Sequence, residues 1–302
     1  MRLQDENTVV VEAKDGRVLW NQKFTQKIRE SSIAMGDING DGMNEVLIGT
    51  ICGFKETGCI YCFPSSGREL WRFALGAEDV FGCPSNLYQA IQIAIRDLNL
   101  DGEIDIVVHG TNYPWFPSQI AILDERGQLI SSYWHCGIVP MLSCVDINND
   151  AIPEIVFGGT NNRLRFSAVV GILDYKTIHG QSPPYNDPVL PRAQEKTYIK
   201  FPFIKGLGGE NRKFSGVREF SYMGKEYGRE VYIAVVEDYR EFRREFWLDA
   251  NLTNVLRIVV PPDSRYLWQE LKKKGIVDYD LTPEVIESWK EIEVWKNGVQ
   301  VK

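Results

Sequence analysis

Three short acidic phrases carry the side chains best placed to do chemistry. Asp37-x-Asn39-x-Asp41-Gly42-x-x-Glu45 recurs as Asp97-x-Asn99-x-Asp101-Gly102-x-x-Asp105 and again as Asp146-x-Asn148-x-Asp150-Ala151-x-x-Glu154, at steps of 60 and 49 residues. Oxygens at loop positions 1, 3, 5 and 9, with the carbonyl at position 7, can wrap one hard cation. Glycine at position 6 permits the positive φ of a sharp turn. Ca2+ suits such a set because it accepts roughly 6–8 oxygens in loose geometry, whereas Mg2+ holds to an octahedron. Three carboxylates within nine residues repel one another unless a cation or solvent intervenes. The competing reading is a set of solvated Asx-turns. An EF-hand is excluded, since it needs a bidentate Glu at position 12, where this chain has Ile48, Val108 and Phe157. The third loop departs from the pattern. Holding Ala151 left-handed costs on the order of 1 kcal/mol, and Pro153 stiffens the turn, so this site should bind more weakly or turn differently.

The segments around these loops repeat as well. "SSIAMGD", "IQIAIRD" and "MLSCVD" precede them; "EVLIGT", "DIVVHGT" and "EIVFGGT" follow, each an apolar strand pattern ending in Gly-Thr. Next come "CIYCFPSSG", "QIAILDERG" and "AVVGILDYK", and in the first two copies a further strand, "RELWRFAL" or "QLISSYWH". Four short strands per unit of 49–60 residues is the signature of a propeller blade. "TVVVEAKDGRVLWNQKF" matches only the last two strands of that unit, and "VREFSYMG" to "NVLRIVVPP" reads as a degenerate blade without an acidic loop. Two helices then follow, one near 264–274 stopped by Gly275, the next opening at Thr282-Pro283-Glu284. Asn297-Gly298 marks a type I′ hairpin, which is expected to complete the N-terminal half-blade and close the ring. The fold expected is all-β: a propeller of about five four-stranded blades over 1–262, a helical segment at 263–293 and a closing hairpin at 294–302.

The acidic loops resemble the calcium loops of FG-GAP/VCBS-type repeats, the family that includes the integrin α-chain propeller. The "DGRVLW" and "SGRELW" strands resemble quinoprotein-like propellers. The resemblance covers about residues 8–175, and 215–260 loosely. It implies two or three Ca2+ sites, with ligands at Asp37, Asn39, Asp41, the Met43 carbonyl and Glu45. Carried over residue by residue, it also implies Asp97, Asn99, Asp101, the Glu103 carbonyl and Asp105, then Asp146, Asn148, Asp150, the Ile152 carbonyl and Glu154. It favours an extracellular or periplasmic location, although no signal peptide opens the sequence given.

If metal occupies one face, the loops after Gly-Thr belong to the other. They present Tyr113, Trp115 and Phe116 in a proline-flanked loop and Arg163 and Arg165 in "NNRLRFS". Exposed aromatics on rigid loops stack on sugars or anchor protein partners; the alternative is that they plug the end of the propeller. The 76–88 and 176–215 stretches are expected on the same face, the latter too rich in Pro and Gly for regular structure. Net charge −7 and pI near 5.2 argue against nucleic acid or an anionic membrane, and no apolar run is long enough to span a bilayer. His109, His135 and His179 lack metal spacing, and no phosphate loop, nucleophile elbow or zinc helix motif occurs. The six cysteines leave open either a Cys52–Cys59 disulfide or free thiols. The reading that follows is a non-catalytic, calcium-stiffened module for a protein or glycan. A polysaccharide-acting lyase or hydrolase is the runner-up, and a quinone-dependent oxidoreductase is third.

Overall fold

The structure, a computed structural model, describes residues 1–76, 80–83, 85–114, 116–207, 215–226, 229–238 and 241–302. Two compact units divide the chain. The first is Met1–His135 with His179–Gln181 and Asp187–Pro191; the second is Cys136–Ile178, Ser182–Asn186 and Arg192–Lys302.

The first unit holds three sheets. β1 (Arg2–Asp5), β2 (Thr8–Glu12) and β3 (Val18–Lys23) form the first, and β4 (Ile28–Gly36), β5 (Glu45–Thr50), β6 (Cys59–Phe63) and β7 (Trp71–Ala74) the second. β8 (Tyr88–Arg96), β9 (Asp105–Asn112), β10 (Ser118–Leu123) and β11 (Leu129–His135) form the third. All these pairings are antiparallel; the short β15 (Gly180–Gln181) adds one parallel pairing along β11. β5 and β9 are buried at every residue, as apolar runs bounded by turns should be. Val9, Val11 and Phe24 pack with Ile28, Val46, Ile48 and Phe63, joining the first sheet to the second.

The tryptophan strands have a specific use. A Cβ on Gly67 would lie 2.6 Å from Trp20, and one on Gly127 would lie 2.4 Å from the Trp71 ring. Each tryptophan therefore lies on the turn glycine of the next sheet, and Trp71 Nε1 also donates to the Glu125 carbonyl at 3.0 Å.

The second unit holds two sheets and the helices. β12 (Met141–Val145), β13 (Glu154–Asn161), β14 (Ser167–Leu173) and β16 (Thr197–Lys200) continue into β21 (Glu293–Lys296) and β22 (Val299–Gln300). β17 (Gly216–Glu226), β18 (Arg229–Asp238), β19 (Phe242–Asp249) and β20 (Val255–Val259) form the last sheet, the expected degenerate copy. Val156, Val170, Ile199 and Val294 pack against Val217, Ala234 and Phe246 between the two. α1 (Pro262–Lys273) and α2 (Pro283–Ser288) cover a core of Phe242, Trp268, Leu271 and Trp289. Thr282 caps α2 by accepting from the Val285 amide at 3.3 Å.

Two expectations need correction. The C-terminal hairpin forms with the left-handed Asn297-Gly298 turn, but it does not join the N-terminal strands. It extends the sheet of the third acidic loop, where Tyr198 pairs with Trp295 and their rings meet at 5.8 Å. The edge of β2 is covered instead by Arg2–Asp5, and among the described residues none of the five sheets is closed. The 176–215 stretch also contains regular structure. Thr197-Tyr-Ile-Lys, β-branched and aromatic, supplies the fourth strand of the third copy. All six cysteines are free thiols.

Arg244 and Asp238, both fully buried, pair at 2.8 Å in the second unit, with Ser215 also donating to Asp238 at 2.6 Å. Burial pushes the Asp238 carboxyl up, while Arg244 and Ser215 pull it down. Removing one partner strands a buried charge. Arg244→Met should therefore lower unfolding stability by about 3–5 kcal/mol in urea titration, and adding Asp238→Leu should recover much of that loss.

Candidate functional site

Each acidic phrase joins the first strand of its sheet to the second: β4 to β5, β8 to β9 and β12 to β13. Position 12 lies inside a buried strand in every copy, so the EF-hand reading fails structurally too. The three loops share one hydrogen-bond ladder. The position 1 carboxylate accepts the position 6 amide: Asp37 from Gly42 at 2.9 Å, Asp97 from Gly102 at 2.9 Å, Asp146 from Ala151 at 2.8 Å. The position 3 amide oxygen accepts the position 5 amide, from Asp41, Asp101 and Asp150. The position 5 carboxylate then accepts the amides of Met43, Glu103 and Ile152 at 2.8, 2.8 and 2.9 Å. Gly42, Gly102 and Ala151 stand at φ +84°, +91° and +71°, so alanine is held in the left-handed turn the motif demands.

The position 9 carboxylates are buried: Glu45, Asp105 and Glu154 are 1%, 5% and 2% exposed. Each accepts the position 2 amide, from Ile38 at 3.2 Å, Leu98 at 3.0 Å and Ile147 at 3.1 Å. Burial, then the neighbouring Asp41 and Asp37 charges, hold the Glu45 carboxyl above the usual range. At Asp146 desolvation is outweighed by the amides of Ala151, Asn148, Asn149 and Asp150, and the carboxyl lies below that range. Glu154 also accepts from the Lys196 ammonium and from Asn148 Nδ2.

Among the described residues, no three His, Cys, Asp or Glu side chains gather closely enough to hold a metal ion. The carboxylates face the loop's own amides, as Asx-turns do. One oxygen stands apart: Asp97 Oδ1 is buried and has no hydrogen-bond partner. An acceptor-only oxygen held dry fits a cation.

Loops at the other strand ends occur in each unit. In the first, Tyr113 is 58% and Phe116 39% exposed, so neither is a buried plug; Trp115 lies outside the described residues. In the second, Arg163 donates to Asn186 and Arg165 is exposed at φ +58°. Buried Asn161 positions that loop by accepting the Arg163 and Leu164 amides and donating to the Pro183 carbonyl and the Tyr198 hydroxyl. Two buried acids of the long stretch were not legible in sequence. Asp187 accepts the Phe81 and Val189 amides, and Glu195 accepts the Tyr185 hydroxyl at 2.7 Å. Lys196 was missed as well, because sequence separation hides its pairing with Glu154.

His109 is buried on β9, with Nε2 3.3 Å from the Thr111 hydroxyl. Burial, then the neighbouring His135, lowers its pKa from 6.5 to about 3. The unfolded chain binds this proton more readily, so the stabilising contribution is complete above pH 6.5 and is lost as pH falls toward 3. Between those limits it amounts to about 1.4 kcal/mol per pH unit. His109→Gln should flatten the fall of the urea midpoint between pH 6.5 and 4.

The described residues define a mostly β protein of several antiparallel sheets. No family model and no curated protein matches the chain. Among solved structures it is similar to a protein of unknown function from Bacteroides caccae, at 13% identity and TM-score 0.35, covering 85% of this chain and 70% of that one. It is also similar to the biofilm matrix protein Bap1 of V. cholerae, at 14% identity and TM-score 0.37, covering 86% of this chain and 43% of that one. A third likeness is to BBS1N, solved in complex with ARL6DN, at 9% identity and TM-score 0.28, covering 77% of this chain and 81% of that one. Likeness at these values carries neither function nor fold, and the architecture rests on the strand pairings. Among the described residues no helix is long and apolar enough to cross a membrane.

Proposed function

We propose that the five sheets are blades of a β-propeller of the FG-GAP/VCBS type, stabilised by calcium and serving as a binding module for a protein or glycan. The observation that carries the calcium reading is the buried, unpartnered Asp97 Oδ1. It sits in a loop whose hydrogen-bond ladder is repeated around Asp37. Asp37, Asn39, Asp41 and Glu45, and Asp97, Asn99, Asp101 and Asp105, with the Met43 and Glu103 carbonyls, would hold the ions. The loop backbones already make the required turn. Binding asks only that the acidic side chains exchange amide partners for the cation, which relieves their mutual repulsion.

Recognition falls to the loops at the opposite strand ends. Exposed Tyr113 and Phe116, with Trp115 between them in sequence, offer faces on which a sugar ring or an apolar partner side chain can stack. Arg163 and Arg165 offer planar charge for a carboxylate. The competing lyase or hydrolase needs free acids. Asp187 and Glu195 are both engaged in holding the fold, which favours binding; Glu78 and Asp79 lie outside the described residues. A glycan array followed by product analysis decides between the two. Retention lost in Tyr113→Ala and Phe116→Ala supports the module, and release of fragments from a bound polysaccharide overturns it.

Calcium should stabilise the folded chain by about 2.7 kcal/mol per site at a hundredfold excess over Kd. The melting temperature should drop on adding EDTA, and the drop should be roughly halved in Asp97→Ala. A melting curve indifferent to EDTA removes calcium from the account.

A further inference from the structure

We infer that two loops of the second unit form a receptor for the carboxylates of an acidic polysaccharide, with Arg192 and Arg165 gripping the uronate. This rests on the binding-module reading proposed above and names the ligand class for its arginine-bearing loops.

The receptor is built on a polar network inside one unit. Asn161, fully buried at the end of β13, accepts the Arg163 and Leu164 amides and donates to the Pro183 carbonyl and the Tyr198 hydroxyl. It thereby ties the loop after β13 to residues 182–186. Arg163 adds a second tie by donating to Asn186. Next to Asn186, the Tyr185 hydroxyl donates to the fully buried Glu195 carboxylate at 2.7 Å, and the Tyr185 amide donates to the Ser182 carbonyl at 3.2 Å. The Glu195 carbonyl in turn accepts the Asn297 amide of the C-terminal hairpin at 2.7 Å. Arg165, Phe166 and Tyr185 stand at φ +58°, +57° and +57°. Bulky side chains rarely adopt that region, and such strain persists only where the surroundings dictate it.

Arg192 lies on this platform. Its guanidinium sits 4.4 Å over the centroid of the Tyr185 ring, and its stem passes Gly298, where an added Cβ would lie 3.6 Å from Arg192 Cδ. An arginine stacked on an aromatic face keeps its planar fork of N–H donors at the edge, the geometry that takes a carboxylate bidentately. Arg192 and Arg165 are exposed, and among the described residues neither forms an ion pair. In a chain of net charge −7, two unpaired arginines on loops bound to each other make a local site for an anion. A sugar acid fits better than an acidic peptide. No exposed large apolar side chain lies on 161–167, 182–186 or 192–196, so these loops lack the apolar anchors on which protein partners depend. Asn162 and Asn186 instead bring amides of the kind that ring hydroxyls bond.

Retention of the full chain on immobilised polygalacturonate, alginate and hyaluronate tests this, with fully methyl-esterified polygalacturonate and poly-glutamate as controls. At least one of the three uronans should be bound, and more weakly as salt rises, while the ester should not be. Arg192→Met and Arg192→Lys should each weaken binding roughly tenfold to a hundredfold, since lysine keeps the charge and loses the fork. Arg165→Met should weaken it as well. Arg192 and Arg165 are exposed, so the urea midpoints of these variants should match the wild type. Binding to none of the three uronans, equal binding of the ester, tighter binding of poly-glutamate, or full affinity in Arg192→Met overturns the inference. A neutral glycan retained by the wild type and lost in Tyr113→Ala would then leave the module reading standing. Release of fragments from a bound uronan, with retention still lost in Arg192→Met, overturns the module reading and upholds the uronate site.

Discussion

Each of the three acidic hairpins closes on a carboxylate buried at the first residue of a central strand. Glu45, Asp105 and Glu154 reach back seven residues to the amide of Ile38, Leu98 or Ile147. That bond fixes where the first strand ends and the second begins, and so sets which residues of β5, β9 and β13 face the neighbouring strands. Burying a charge is costly unless it is paired or hydrogen-bonded. One amide satisfies only part of a carboxylate, and the remaining oxygen needs a donor or a cation. The surrounding Asp and Asn side chains cannot serve as that cation. At Glu45 the neighbouring Asp41 and Asp37 charges push the carboxyl further up. In the third loop that need is met at Glu154 by the Lys196 ammonium and Asn148 Nδ2.

Contacts between sheets explain why copies of unequal length keep the same phrase. The steps of 60 and 49 residues differ because loops at strand ends grow freely, whereas a tryptophan seated on a glycine does not tolerate change. Trp20 on Gly67 and Trp71 on Gly127 are one contact made twice, between successive sheets of the first unit. Both glycines have positive φ, +78° and +74°, so each is required by its turn and by the ring above it. The tryptophan strands are thus explained by packing alone. They lend no weight to cofactor chemistry of the quinoprotein kind.

The acidic loops, the strand phrases on either side, the degenerate copy and the helix cap at Thr282 were all legible from the sequence. Each is written in residues close together along the chain. What escaped was long-range partnership. Asn297-Gly298 announces a hairpin, yet nothing local says whether its edge will meet β2 or β16; Tyr198 and the buried side chains around Val294 decide that. Arg2–Asp5 has too little apolar pattern to be read as a strand, and it becomes one because β2 offers an open edge. Lys196 and Glu154, 42 residues apart, form a pair that spacing cannot reveal. The exposed loop residues were half legible: Tyr113 and Phe116 are exposed as their proline-flanked loop suggested, while the role of Asn161 beneath Arg163 depends on a buried network.

A tethered ammonium and a diffusible ion solve the buried-carboxylate problem with different dependence on surroundings. Stabilisation by a bound ion grows as RT ln(1 + [L]/Kd), so it rises and falls with free calcium. The Lys196 ammonium, tethered beside buried Glu154, is present at a fixed effective concentration, so its contribution does not follow free calcium.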